Sequence, residues 1–582
     1  MLTLLKASYK EDKRGFIEIF ILNIISSLMG GISIVVLLPM LELLEDVPSS
    51  LQGSVVEAAV STMSPVMRVV ILAGGYLFLL TVKALLSRQM SLRQNAYLCR
   101  YTQRQRQQLY ELMEKSSWQY LAKQKRTDLI NLFTSLCGQV TSGISSSIGM
   151  LSNIVIAVVQ LIIALYMSVP ITLFVCVAGA VLMAVFWPLK KKSKAFGKEM
   201  IDVSRNFYSE LLNQLGSVKE IRAYDVESEH EERFTKINEK FTTMQTEYAK
   251  VSSLPGLVYN IAAALVIALL FVFSTMGVHI ETARLLVLVL VFSRLWPIFS
   301  GFQGTVQSIQ TNLPALEDLE KAKREMSEAR EEPDDGRTLA FKENVTFDGV
   351  HFSYFDDGKD VLGNMSFEIK FGEIVALCGR SGAGKSTVAN LLMGFLNPTS
   401  GSISVDGKVL TGKDLHAWRR VIGYVPQDPL VLNASVRENL SRFHPNVTEE
   451  EMIDALKRAQ AWGFVEKLND GLDTLLGDQG VRLSGGERQR IILARVLLGN
   501  PRFIILDEAT SALDYDSEIS IRNVLYELKG SCSVLIIAHR LATIRIADKA
   551  LVLENGSICE SGTIAELIKK PGGYLNCMAD LG

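Results

Sequence analysis

The chain has 582 residues, 48% of them hydrophobic, and a formal net charge of −2. Such a length makes several domains the expectation, and the lack of a basic excess argues against nucleic acid as the partner. The seven cysteines (99, 137, 176, 378, 532, 559 and 577) show no CxxC or CxxH spacing, which argues against a metal centre, a dithiol or a disulfide framework.

The N-terminus carries acidic residues and no small-residue cleavage pattern, so it does not read as a secretory signal. Residues 1–12 predict a short amphipathic helix in the membrane interface, with Leu2, Leu4 and Leu5 toward lipid and Lys6, Lys10 and Lys13 toward phosphates. Six apolar runs follow, at about 15–41, 67–86, 145–167, 171–189, 256–276 and 283–305. A helix crosses a bilayer in about 20 residues. The connections 46–65, 167–172 and 274–283 lack lysine and arginine, whereas 87–127 is rich in both and Lys190, Lys191, Lys192 and Lys194 follow the fourth run. The positive-inside rule then puts both long connections and both termini in the cytoplasm.

Residues 87–143 and 190–255 are rich in good helix formers, so the membrane helices are predicted to run on into the cytoplasm. They should reverse near 117–124 and 216–225, where Trp118, Tyr120, Val218, Ile221 and Tyr224 read as docking anchors. Polar groups inside the runs are few and expensive, which makes Asn153, Gln160, Arg294 and Gln303 candidates for a substrate cavity. Arg294 has two readings. It lines an anion-tolerant cavity, or it pairs with Glu18 or backbone carbonyls to fix packing; Pro297 beside it is predicted to kink the helix.

The membrane domain is therefore 1–316, and the polar run 317–339, ending in Pro333, Asp334, Asp335 and Gly336, is the linker. From 340 to 582 the pattern is that of a soluble α/β domain. Strand 374–378 runs into Gly379, Arg380, Ser381, Gly382, Ala383, Gly384, Lys385, Ser386 and Thr387. This is a phosphate loop: its glycines let backbone N–H groups face inward, and a helix N-terminus adds a favourable dipole. Lys385 reaches the β- and γ-phosphates and Ser386 belongs on Mg²⁺. The apolar strand 503–507 ends in Asp507, placed for Mg²⁺, and Glu508 follows as the general base. LSGGERQ at 483–489 is a second glycine-rich helix start, which reads as holding a nucleotide shared between two copies.

The order of GRSGAGKST, Gln427 in GYVPQD, LSGGERQ, FIILDE, SALD at 511–514 and His539 in IIAHR resembles an ATP-binding cassette (ABC) transporter. With the six preceding runs, the whole chain is similar to the type IV, exporter-fold half-transporters. That resemblance implies an α-helical six-span membrane domain with long cytoplasmic helical extensions, followed by an α/β P-loop cassette. It implies Tyr354 on the adenine, Gln427 on Mg²⁺ and His539 on the γ-phosphate. It also implies that Ser484, Gly485 and Gly486 bind the γ-phosphate held by the other copy's Lys385, with Asp514 crossing the interface. One motif departs: TLLGDQG (474–480) stands where the family usually has TEVGERG.

The expected cofactors are ATP and Mg²⁺. The expected partners are a second copy, membrane lipid and a peptide, lipid or small-molecule substrate, with no nucleic acid. The expectation is an ATP-driven exporter in the bacterial inner membrane, its cassette in the cytoplasm. Importer activity and the active half of a heterodimeric exporter remain open. A DNA-repair or ribosome-associated cassette protein is excluded by the apolar runs.

Overall fold

Long amphipathic and apolar helices build the first half of the chain, and two sheets build the second. The computed structural model describes residues 1–35, 65–167, 169–276, 282–354, 360–509 and 514–581. Two compact units result: 1–116 with 122–329, and 117–121 with 330–582.

The described residues of the first unit are helical, with α1 (Leu2–Glu11), α2 (Lys13–Val35), α3 (Pro65–Glu114), α4 (Cys137–Met167), α5 (Val169–Val185), α6 (Leu189–Gly216), α7 (Glu227–Met276) and α8 (Thr282–Glu328) as its main elements. At 50 residues each, α3 and α7 are about 75 Å long, far more than the ~30 Å of a hydrocarbon core. Helix α8 continues through Pro297 and Pro314 to Glu328, so residues 317–328, read from sequence as linker, are its last turns. One core joins Tyr97, Leu136, Ile144, Ile309 and Leu319, and a smaller one joins Phe186, Tyr259, Val266 and Trp296. Large apolar side chains such as Phe78, Ile162, Val181 and Ile261 are exposed along the helices, as a surface meant for lipid or a second chain requires.

Helix α1 forms as predicted but faces differently. Leu4 is fully buried, and the Ser8 hydroxyl pairs with that of Tyr97 at 2.6 Å, so the apolar face turns onto α4 rather than lipid. Gly143 makes the room: a Cβ there would lie 3.2 Å from a Leu4 methyl. Only Leu2 of the three predicted lipid-facing leucines is strongly exposed.

In the second unit a four-stranded antiparallel sheet, ordered β2-β1-β4-β5, comprises β1 (Asn344–Phe352), β2 (Leu362–Lys370), β4 (Ser400–Val405) and β5 (Lys408–Val409). A six-stranded sheet is ordered β10-β9-β3-β8-β7-β6. Its strands are β3 (Ile374–Gly379), β6 (Ile422–Val425), β7 (Phe503–Asp507), β8 (Ser533–Ile537), β9 (Lys549–Glu554) and β10 (Ser557–Thr563), all parallel except β10. Side chains alternate between two cores, as the pleat dictates. Ile374, Ala376, Ile504, Leu506, Val534 and Ile536 face a core shared with helices. Val375, Leu377, Phe503, Ile505, Leu535 and Ile537 face the small sheet. Strands buried on both faces read as continuous apolar runs, which is why they stand out in the sequence.

The first reversal tip divides from its helix: Ser117–Leu121 belongs to this second unit, where the Trp118 ring lies 5.6 Å from Phe395. Past residue 330 the linker is strapped to the cassette, with Arg419 bidentate to Glu331 (2.6 and 3.1 Å) and Arg420 paired with Asp334. At the second tip Val218 and Tyr224 are exposed.

A close helix contact in the first unit sets a test. A Cβ on Gly197 of α6 would lie 2.1 Å from the Thr311 carbonyl oxygen of α8. Gly197→Ala is expected to cost about 1–3 kcal/mol by overpacking. Its thermal midpoint should fall clearly below that of Gly138→Ala, whose new Cβ meets nothing within 4 Å.

Candidate nucleotide site

The phosphate loop grows out of β3 at the centre of the large sheet. Gly379, Gly382 and Gly384 have φ of 146°, 81° and 105°, values that side chains resist. A Cβ at Gly379 would sit 2.2 Å from the Leu553 carbonyl oxygen, and at Gly382 it would project into open space. The loop is thus a glycine cradle closed by Gly384, the N-cap of α9 (Lys385–Leu392). Lys385 is buried and its Nζ donates to the carbonyls of Gly379 and Arg380, both at 3.0 Å, which holds the ammonium over the loop. Burial pushes this ammonium down, while Glu508 and Asp507 oppose the shift. Backbone N–H groups, a helix dipole and a fixed cation suit a triphosphate. Tyr354, half-exposed, stacks edge-on against Phe352 and reaches Thr387 Oγ1 at 3.3 Å, so its ring stands beside the loop.

Parallel pairing brings the second cluster to the same sheet edge. Asp507 pairs with Ile537, which in turn pairs with Leu377, so the ends of β3, β8 and β7 are level. Asp507 is buried, and burial followed by the neighbouring Glu508 pushes its carboxyl up. Tyr424 of β6 donates to Asp507 at 3.4 Å, its own phenol pushed up to about 12, first by burial and then by Asp507. Glu508 adopts a left-handed φ of 47°, which turns its side chain off the strand line. Gln427 Nε2 donates to one of its oxygens at 2.8 Å, and His539 Nε2 lies 2.8 Å from the other. The carboxylate is gripped from both sides. Ser386 in the first turn of α9, Asp507 and the Gln427 side-chain carbonyl offer oxygen donors, the set that Mg²⁺ prefers.

LSGGERQ opens helix α10 (Gly485–Leu498). Ser484 is its N-cap and forms a capping box with Glu487: the Glu487 N–H donates to Ser484 Oγ at 3.3 Å and the Ser484 N–H to Glu487 Oε2 at 2.8 Å. Gly486 has a packing role that the motif does not announce. A Cβ there would lie 2.0 Å from Ser517 Oγ on α11 (Tyr515–Leu528). Asp514 caps α11, accepting from the Ser517 N–H at 3.1 Å, and hydrogen bonds from the Ser517 side chain and then from its backbone lower the pKa of Asp514. The residues Ser511–Leu513 of SALD lie outside the described residues.

Residues 16–300 match the family of ABC transporter transmembrane regions, and residues 362–511 match the ABC transporter family. The uncharacterized ABC transporter ATP-binding protein YwjA of Bacillus subtilis is 32% identical over 66% of this chain and 67% of its own length. The heterocyst differentiation ATP-binding protein HepA of a Nostoc species is 31% identical over 80% of this chain and 76% of its own. The chain belongs to the ABC transporters. It is an ATPase-coupled transporter, with its transmembrane region N-terminal to its cassette. The alpha-hemolysin translocation ATP-binding protein HlyB of Escherichia coli O6:H1 is 43% identical, over 39% of this chain and 32% of its own length. The fold is that of the exporters. A bacterial Atm1-family ABC exporter with ATP bound superposes with a TM-score of 0.80 at 22% identity, over 99% of this transporter and 98% of that chain.

In the transporter's first unit, the four polar residues picked from the sequence part company. Asn153 and Gln160 line one cavity of about 400 Å³. Gln303 does not join them: it is buried and donates to the Phe186 carbonyl at 3.2 Å, a helix-packing bond. The side chain of Arg294 lies outside the described residues. Glu18, its proposed ion partner, pairs with Arg93 at 2.9 Å.

Two cassette residues escaped sequence reading. Tyr424 sits three residues before Gln427 in GYVPQD, a spacing that could have flagged it. Arg495 of α10 is buried and donates to the Leu430 and Asn439 carbonyls at 3.1 and 2.8 Å. It ties the signature helix to the segment that follows Gln427, and no motif spacing marks it.

The Gly486 contact is testable. Gly486→Ala should lower ATPase activity and thermal midpoint together, and adding Ser517→Gly should recover much of both. A midpoint unaffected by Gly486→Ala would contradict the packing role.

Proposed function

We propose that the transporter is an exporter that moves an amphipathic substrate (a peptide, a lipid or lipid-linked molecule, or a drug) out of the cytoplasm or inner leaflet by alternating access. It works as a homodimer in the bacterial inner membrane, with its cassettes in the cytoplasm. The observation that carries this reading is Glu508, held between Gln427 and His539 at 2.8 Å each, beside Asp507 and at the same sheet edge as the glycine loop. The 285-residue match to transmembrane regions (16–300) gives that engine something to drive.

The chain's own groups suffice for the chemistry. The loop N–H groups and Lys385 hold the phosphates, and Glu508 takes the proton of the attacking water. His539 and Gln427 fix that carboxylate and approach the γ-phosphate. Ser386, Asp507 and Gln427 would hold Mg²⁺, whose charge offsets that of the phosphates. Ser484, Gly485 and Gly486 complete the site of the opposite copy, with Asp514 at the interface and Tyr354 on the adenine. Each nucleotide then binds the closed pair more tightly than the open one, so ATP shifts the population to closure and its hydrolysis releases it. Such a shift from 1:99 to 99:1 needs about 5.5 kcal/mol of differential binding. Lys385, Gln427, Ser484, Glu508 and His539 are all present in this one chain, so two-fold symmetry completes two competent sites.

Replacing the base tests the mechanism. Glu508→Gln should reduce hydrolysis by about 10²–10⁴-fold while ATP remains bound and the dimer stays closed. Turnover at the wild-type rate would contradict the assignment. Direction is a separate measurement: inside-out vesicles should accumulate labelled amphiphile only with ATP, whereas ATP-driven loss of preloaded label would make the protein an importer.

A further inference from the structure

The cavity of about 400 Å³ in the first unit lies among α2, α3 and α4, with Thr305 of α8 at its edge. Its lining is polar on three helices at once. On α3, Lys83, Ser87, Met90 and Gln94 follow a 4-3-4 spacing, one face of a helix. On α4, Ser146, Gly149, Ser152, Asn153, Ile156 and Gln160 recur at steps of mostly three or four residues and so share a face as well. Asn23 of α2 faces them and accepts a hydrogen bond from Ser152. The opposite side of α3 carries the exposed Leu77, Phe78 and Leu85, so the stripe turns inward rather than toward lipid.

Two features point to a ligand rather than to packing. Gln160 is 8% exposed, lines the cavity, and its Oε1 has no hydrogen-bond partner among the described residues. A buried amide oxygen left open is costly, and a hydroxyl or N–H on a bound molecule can satisfy it. The second feature is charge. Among the described residues Lys83 is the one charged side chain of the lining, no aspartate or glutamate joins it there, and no carboxylate pairs with it. Nearby Arg93, by contrast, is matched by Glu18. Lys83 falls inside the apolar run 67–86. An intramembrane cation without a counter-ion is a binding-site signature.

We propose that this cavity binds a single oxyanion, a phosphate or carboxylate, carried by the transported molecule. Lys83 provides the charge-assisted bond, Asn153 and Gln160 donate to the anion through their amide nitrogens, and the open Gln160 Oε1 accepts from a hydroxyl or N–H of the same molecule. The proposal rests on the export reading and deepens it by naming the headgroup chemistry. It also moves the anion site that the sequence suggested at Arg294 to a different helix.

Displacement of a fluorescent lysophosphatidate from the full-length protein in neutral detergent tests it. Unlabelled lysophosphatidate should compete about tenfold or more better than lysophosphatidylcholine of the same chain length, the margin of one charge-assisted hydrogen bond. Lys83→Ala should erase that preference and Lys83→Arg should keep it; Gln160→Leu should weaken binding of the anionic probe. Competition by glycerol 3-phosphate would assign the anion to a soluble molecule, and its failure to a lipid. Equal competition by the two lysolipids, or a preference that survives Lys83→Ala in protein that elutes as the wild type does, would overturn the proposal. ATP hydrolysis by the same wild-type sample is read in parallel: its absence would count against the transporter reading, whereas hydrolysis without anion preference would sink only the site.

Discussion

The level ends of three parallel strands are the constraint on which the cassette depends. Because β3, β8 and β7 pair in register through Leu377, Ile537 and Asp507, the glycine loop, His539 and Glu508 emerge at one edge of one sheet. A slip of one residue in any pairing would turn buried side chains to the wrong core and carry the loop away from the carboxylate. The two cores enforce the register, since each strand alternates between them without a polar interruption. Chemistry is thereby fixed by packing, and the strained turn at Glu508, with its positive φ, is held in place by Gln427 and His539.

What this edge presents is half of a site in the proposed mechanism. The signature helix spends its Ser484 side chain on a capping box and its Gly486 on close packing with α11, so its N-terminus is rigid before any nucleotide arrives. Preorganised donors of this kind cost little to bring to a phosphate. Arg495 links that helix to the chain beyond Gln427, so a displacement of one is felt by the other. The first unit follows a different rule. Many of its large apolar side chains are turned outward around two internal cores, and one group of polar side chains, from Lys83 to Gln160, lines a cavity.

The cassette was legible because phosphates dictate backbone shape and only glycine accepts it, so the motif spells out the geometry. Gly379, Gly382 and Gly384 take the left-handed angles that the motif requires. The long helices were legible from residue type and length. Contacts between residues far apart in sequence were not. The orientation of α1 depends on Leu4 meeting Gly143 and Ser8 meeting Tyr97, pairs that no local pattern reveals. Gln303 looked like a cavity residue because it is polar in an apolar setting, yet the Phe186 carbonyl satisfies it. Lys83 had the reverse fate: at the end of an apolar run it reads as an ordinary flanking lysine until three helices align their polar faces around it. Arg495 acts through burial, which spacing alone does not encode.

The central claim is that one nucleotide is shared between the glycine loop of one copy and the signature of the other. Mixed dimers test it most directly, with one copy carrying Lys385→Ala, the other Ser484→Arg, and both carrying Glu508→Gln so that bound ATP is not consumed. If the signature acts across the dimer, both defects fall in one site and the other site is intact. The mixed dimer should then retain about one tightly held ATP, while dimers made of either variant alone retain none. If the signature serves its own chain, each site carries one defect, and a mixed dimer that holds no ATP would contradict the account.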